Sequence, residues 1–254
     1  MVAFDRHEGG GEGTIVLLHS LALDRSVWQD LIPHLTPRYE VIALDLPNHG
    51  ASPSLPDATI ESMGDAVVAG LQDHVDGRPI VMGLSLGGCV AQAIAVNHPG
   101  FVRGLGLFDT TCWYGETAPQ DWEDRAQKAA TEGFDSLADF QLKRWFSPGF
   151  VEANPDIGER LMGVFRSNDI DGYIASCRAM GALDLRDRIG SIDAPTTIIV
   201  GADDPATSPP HSEAIRQRID GAAMHVVPRC GHLSAAERPD VIARWLDADL
   251  FTRV

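Results

Sequence analysis

The feature that most constrains this chain is an alternation of short, mostly apolar, β-branched runs with amphipathic stretches. The runs are Thr14–Leu18, Val41–Leu44, Pro79–Met82, Val102–Phe108, Thr196–Val200 and Met224–Val227. Between them, Ser26–Leu35, Ile60–Val75, Leu86–Asn97, Ser212–Ile219 and Arg238–Leu250 carry helical periodicity. Apolar runs without polar alternation are strands buried on both faces, so the pattern predicts a mainly parallel α/β sheet with helices on both faces. A sheet covered in this way can use 254 residues as one unit. The alternation stops between Cys112 and Asp193. That acidic segment, rich in Trp and Phe, reads as short helices at Asp121–Thr131, Ser136–Trp145 and Ile170–Met180. The expected organisation is a core of residues 1–111 and 194–254 with a helical lid, 112–193, inserted between two strands.

Composition excludes several partners. A formal net charge of −16 is wrong for nucleic acid, whose phosphates call for a basic face, and for an anionic membrane surface. No stretch reaches the roughly 18 apolar residues of a membrane span, and the first residues, Met1–Arg6, are charged at once and lack a signal core. A soluble cytoplasmic protein is expected. Cys89, Cys112, Cys177 and Cys230 fall in no metal-binding or Cys-x-x-Cys spacing, which predicts buried free thiols.

The chemistry is concentrated at Gly83-Leu84-Ser85-Leu86-Gly87-Gly88, where a strand gives way to a helix. A turn this tight forces the serine into an unfavourable backbone conformation, and side chains two residues to either side would collide. Ser85 then stands at a helix N-terminus, where developing negative charge is favoured. A serine needs a base to take its proton and a carboxylate to orient that base. His232, in a loop between the last strand and the last helix, is the expected base; His225 lies within that strand and reads as structural. His34, His74 and His98 lie on or near helices, and His211 follows two prolines at the surface. Asp204 is the preferred acid because Pro205 fixes the turn directly after it, with Asp203 the alternative. Asp109, at a strand end, either points into the site or caps a turn. The N–H groups of Leu86 and Leu21 are the expected oxyanion donors, and His19 is expected to organise the loop before Leu21.

With these residues in place, the chain resembles the α/β-hydrolase superfamily over nearly its whole length. The resemblance rests on His19-Ser20-Leu21, Asp45-Leu46-Pro47-Asn48-His49-Gly50-Ala51-Ser52, the Ser85 elbow, Gly201–Pro205 and Gly231-His232. Within it, the sequence looks most like 3-oxoadipate enol-lactonases. The pieces carrying that finer likeness are His19-Ser20-Leu21, Asp109-Thr110-Thr111, Asp171–Arg178 and Asp184-Leu185-Arg186. The resemblance implies hydrolysis of a small carboxylate-bearing ester or enol-lactone through an acyl-enzyme, with no cofactor and no metal. It places Arg144 or Arg178 on a substrate carboxylate, and Ser20, Trp28, Trp113 and Trp145 around the substrate. Other esters or lactones, carbon–carbon bond hydrolysis and a non-turnover receptor are the alternatives. Two departures stand out. Asn48 replaces the glycine common before His49, and the short N-terminus leaves room for one strand at Val2–Phe4, or a truncated edge, in place of the usual hairpin.

Overall fold

Six mutually parallel strands and one antiparallel edge strand form a single sheet in the computed structural model, which describes residues 1–254. The strands are β1 (Phe4–His7), β2 (Thr14–Leu18), β3 (Glu40–Leu44), β4 (Ile80–Leu84), β5 (Gly104–Phe108), β6 (Thr196–Gly201) and β7 (Ala223–Val227), in the spatial order β1-β3-β2-β4-β5-β6-β7. Every residue of β2, β4, β5 and β6 is buried, as expected of strands covered on both faces. At the N-terminal edge a single strand, β1, pairs antiparallel with β3, lying two residues beyond the Val2–Phe4 expectation.

Helices flank the sheet, several with shifted ends. The predicted Ser26–Leu35 helix is broken into a 3₁₀ turn, Arg25–Trp28, and a short α1 (Ile32–Leu35). Pro33, without an N–H, can stand only in a first turn, so a new helix starts there. α2 (Ile60–Leu71) ends a turn earlier than its periodicity suggested, while α3 (Leu86–Asn97) matches. The segment between β5 and β6 carries α4 (Ala118–Glu132), α5 (Asp135–Trp145), α6 (Phe150–Ala153), α7 (Pro155–Arg166) and α8 (Ile170–Gly181). α9 (Pro209–Arg216) begins three residues before the expected start, with its prolines in the first turn. The expected terminal helix, Arg238–Leu250, is α11 (Pro239–Ala248) followed by a short α12 (Leu250–Arg253), and an additional short α10 (Ser234–Glu237) precedes it. No helix is long and apolar enough to cross a membrane. All four cysteines are buried and free.

The insertion is seated on the core at two places. Arg160 of α7 reaches the Ser26 carbonyl and the Asp30 carboxylate (2.6 Å each), and Asn168 donates to the Ala22 carbonyl (2.8 Å). At the other end, the Leu233 N–H donates to the carbonyl of Trp145, the last residue of α5 (2.9 Å). The insertion therefore rests on the loops that follow β2 and β7, at the carboxyl ends of the strands.

Candidate active site

Strand β4 runs straight into Ser85, and α3 starts at the next residue. Ser85 has φ 54° and ψ −112°, a conformation that costs an L-residue about 1–3 kcal/mol. Its surroundings hold it there: the Ser85 N–H donates to the Phe108 carbonyl (2.9 Å), and Thr110 Oγ1 donates to the Ser85 carbonyl (2.7 Å). The flanking glycines are required by close approach. A Cβ on Gly83 would lie 2.1 Å from the Gly87 carbonyl oxygen, and one on Gly87 would lie 2.0 Å from that of Leu18.

His232 and Asp204 come to Ser85 from the loops after β7 and β6. His232 Nε2 is 2.9 Å from Ser85 Oγ, and His232 Nδ1 is 2.8 Å from Asp204 Oδ2. Asp203 is exposed, whereas Asp204 is buried. Its Oδ1 accepts the N–H groups of Ala206 (2.7 Å) and Thr207 (3.1 Å), and its Oδ2 also accepts Thr207 Oγ1 (2.9 Å). Burial pushes the Asp204 carboxyl up, but His232 and these donors outweigh it and hold the group below the usual carboxylate range. Asp204 therefore stays ionised and fixes the Nδ1–H tautomer, which leaves the Nε2 lone pair aimed at the serine.

Asp109 takes a different place. Its Oδ1 accepts the Gly201 N–H (2.8 Å) and its Oδ2 the Ser234 N–H (3.0 Å), so it ties the end of β6 to the start of α10. Burial and the neighbouring Asp204 charge push its carboxyl up. His19 organises the loop after β2. Its Nε2 accepts the Leu46 N–H (2.9 Å), and its Nδ1–H donates to the Ser20 carbonyl (2.8 Å). Burial lowers the His19 pKa to about 4 and keeps it neutral. In that loop the Leu21 N–H has no acceptor within the protein, and Leu86 opens α3, where no preceding turn supplies one. Two free donors thus stand beside Ser85.

A chamber of about 30 Å³ opens at Ser85 and His232, lined also by Ser20, Leu21, Arg144 and Trp145. Three other residues expected there lie elsewhere. Trp28 is fully buried, edge-on to Phe108 at 5.8 Å. Trp113 carries the Arg186 guanidinium on its ring at 3.7 Å and borders a separate cleft. Arg178 is exposed and bound by both carboxylate oxygens of Glu123 (2.8 and 2.9 Å), because it sits on the outer face of α8.

Instead the chamber holds Arg125, which sequence reasoning passed over. It donates from Nε to Tyr173 Oη (2.7 Å) and from Nη2 to Gln141 (3.0 Å), with Trp122 beneath it at 5.0 Å. A guanidinium has five N–H donors, so three remain free, and no carboxylate pairs with it. The signal was available: Ala118, Trp122, Ala126 and Ala129 form the inward stripe of α4, and Arg125 is a charge set within that stripe. Tyr114 and Met180 complete the wall. Burial pushes the Tyr114 phenol well up, so it remains a donor.

The model of the alpha/beta hydrolase family matches residues 15–245. The chain belongs to that family. Among curated members of the family, a 3-oxoadipate enol-lactonase of Acinetobacter baylyi is 30% identical over 236 residues, covering 92% of this chain and 87% of that protein. A pimeloyl-[acyl-carrier protein] methyl ester esterase of Neisseria meningitidis is also 30% identical, covering 88% of this chain and 73% of that protein. Among solved alpha/beta hydrolases, the enol-lactonase of Burkholderia xenovorans superposes with a TM-score of 0.91 at 31% identity, covering 97% and 95% of the two chains. A thermophilic esterase of Thermogutta terrifontis gives 0.90 at 27% identity, covering 97% and 92%. As an alpha/beta hydrolase with enol-lactonase and esterase relatives, the protein is an enzyme of the ester-hydrolase type.

Proposed function

We propose that this hydrolase cleaves a small carboxylate-bearing ester or lactone by acyl transfer through Ser85, with His232 as base and Asp204 as its orienting acid. The observation that carries the reading is the continuous hydrogen-bonded line from Asp204 through His232 to Ser85 Oγ, 2.8 and 2.9 Å, at the floor of a chamber with an unpaired arginine. Ser85 Oγ attacks the carbonyl as His232 Nε2 takes its proton. The N–H groups of Leu21 and Leu86 receive the negative charge on the carbonyl oxygen. His232 returns the proton to the departing alcohol or enol oxygen, leaving acyl-Ser85. Water then attacks the acyl group with His232 again as base, and the carboxylic acid and Ser85 are released.

Arg125 supports an anionic substrate: it is a partly buried cation with free donors and a fixed fork, suited to a carboxylate. Arg144 stands beside it, held below its ordinary pKa by burial and by the Arg125 charge, and an arriving carboxylate relieves both. The resemblance to enol-lactonases makes a carboxylated enol-lactone the first substrate to try. A fluorophosphonate probe should label wild-type protein one to one, with the added mass on the peptide carrying Ser85, and should leave His232→Ala at least about 100-fold slower to react. Label found on another residue, or equal rates for both proteins, would remove Ser85 and His232 from these roles.

A further inference from the structure

Ser85 stands at the end of β4, and loops reach it from both flanks of that strand. On one flank the loop after β2 brings the Leu21 N–H, and the N–H of Leu86 opens α3 beside it. These two donors set the side on which the carbonyl oxygen of a substrate lies. On the other flank the loop after β5 brings Tyr114. The loops after β6 and β7, which carry Asp204 and His232, stand on that same flank. Tyr114 therefore shares the side of Ser85 on which His232 works, opposite the Leu21 loop.

Tyr114 lines the inner chamber together with Ser85 and His232. That chamber, of about 30 Å³, accommodates one or two water-sized groups, so a polar atom in its wall meets the reacting atoms themselves. The polar neighbours of the Tyr114 hydroxyl are Ser85 and Cys89 Sγ, the latter at 3.9 Å. The Cys89 thiol gives its own proton to the Thr111 carbonyl (3.4 Å), and its sulfur is a weak acceptor. Apart from the nucleophile, then, the Tyr114 O–H has no strong acceptor within the protein. The loop that carries it is held in place. Thr111 Oγ1 accepts the Trp113 N–H (3.1 Å) and donates to the Trp113 carbonyl (2.7 Å), while the Leu185 N–H holds the Cys112 carbonyl (3.0 Å). Trp122 packs edge-on against the phenol ring at 5.3 Å.

We infer that Tyr114 is a further catalytic residue, whose hydroxyl donates a hydrogen bond to the departing oxygen of the substrate as acyl-Ser85 forms. The inference rests on the serine-hydrolase reading of Ser85. When the tetrahedral intermediate collapses, the bond from the acyl carbon to that oxygen breaks and its electron pair passes to the oxygen. His232 Nε2 supplies the proton. Tyr114 keeps its own proton and stabilises the negative charge that builds before the proton from His232 arrives. Such help matters most for alkoxides, which leave reluctantly, and least for p-nitrophenolate, whose charge is spread over its ring. Tyr114 thus extends the site from activated esters and enol-lactones to esters of ordinary alcohols.

Tyr114→Phe removes the hydroxyl and keeps the ring against Trp122. The test compares kcat/KM, which reports the steps up to acylation, on p-nitrophenyl, phenyl, trifluoroethyl and ethyl acetate, in order of worsening leaving group. The variant should lose about twofold on p-nitrophenyl acetate, rising along the series to about 30-fold on ethyl acetate. A loss that does not grow along the series, or no loss, would overturn the role of Tyr114 and leave the serine-hydrolase reading intact, because a hydroxyl that only shapes the chamber slows all four esters alike. So would a wild type that hydrolyses p-nitrophenyl acetate but not ethyl acetate. Hydrolysis of none of the four by wild type, with Ser85 unlabelled by fluorophosphonate, would overturn both.

Discussion

At the scale of single residues, Ser85 is held in a conformation it would not choose, and the glycines around it make that possible. Gly87→Ala should therefore destabilise the protein by about 1–3 kcal/mol, because its Cβ would meet the Leu18 carbonyl oxygen and neither backbone can retreat. Chemical denaturation reads that loss, and a variant as stable as wild type would mean that the contact is soft. His19 and His49 set a pH dependence of stability. Burial lowers them to about 4 and about 3, while in the unfolded chain both titrate near 6.5. The unfolded state thus binds more protons below pH 6.5, so stability is complete above that value and is lost as pH falls toward 4. His19 alone accounts for about 3 kcal/mol of that fall. Urea unfolding at pH 7 and pH 5 measures it, and no difference between them would contradict the burial argument. Ser85, Asp204 and His232 were readable from sequence because their turns have local chemistry: tight glycines, a proline after the acid, and a loop between strand and helix. Arg125 was legible only as a charge within the inward stripe of α4; its place at the site depends on Tyr173 and Gln141, brought in from other helices.

At the scale of elements, the loop carrying His232 is clamped by a buried carboxylate. Glu237 Oε2 accepts the N–H groups of Gly231 (2.9 Å) and Ser147 (3.1 Å), and its Oε1 accepts the Ser147 hydroxyl. It thereby joins α10, the His232 loop and the end of α5. Glu237→Ala would leave the buried Gly231 N–H and two half-buried Ser147 donors unmet and should cost about 1–3 kcal/mol of stability. It should also lower kcat more than KM, with Glu237→Gln recovering part of both. A Glu237→Ala enzyme with wild-type kcat would show that the loop holds His232 without the clamp. Elements were legible where periodicity was clean. β2 and α3 match their expected limits, whereas α7 was passed over because Gly158 and Gly163 interrupt a stripe of Ile157, Leu161, Met162 and Phe165. The start of α11 at Pro239 follows a rule the sequence does state: a proline opens a helix more readily than it continues one.

At the scale of the whole molecule, insertion and core share their apolar interior. One connected cluster of 70 buried residues contains Leu161, Phe165 and Tyr173 of the insertion together with Leu21, Trp28 and Phe108 of the core. Heating should accordingly give a single calorimetric transition, with far-ultraviolet circular dichroism and tryptophan fluorescence changing together. Two separated transitions would make residues 112–193 an independent unit. The inner strands β2, β4, β5 and β6 were legible in the sequence because they are buried on both faces and so have no alternation to confuse. The seating of the insertion was not, because it depends on long-range pairs such as Arg160 with Asp30 and Trp145 with Leu233. The central claim, that Ser85 attacks and Asp204 holds its base in place, is tested most directly by steady-state hydrolysis of p-nitrophenyl acetate. Ser85→Ala should lose at least about 10⁴-fold in kcat and Asp204→Asn about 10³-fold or more, both with wild-type circular dichroism. A folded Ser85→Ala protein that keeps wild-type turnover would contradict it.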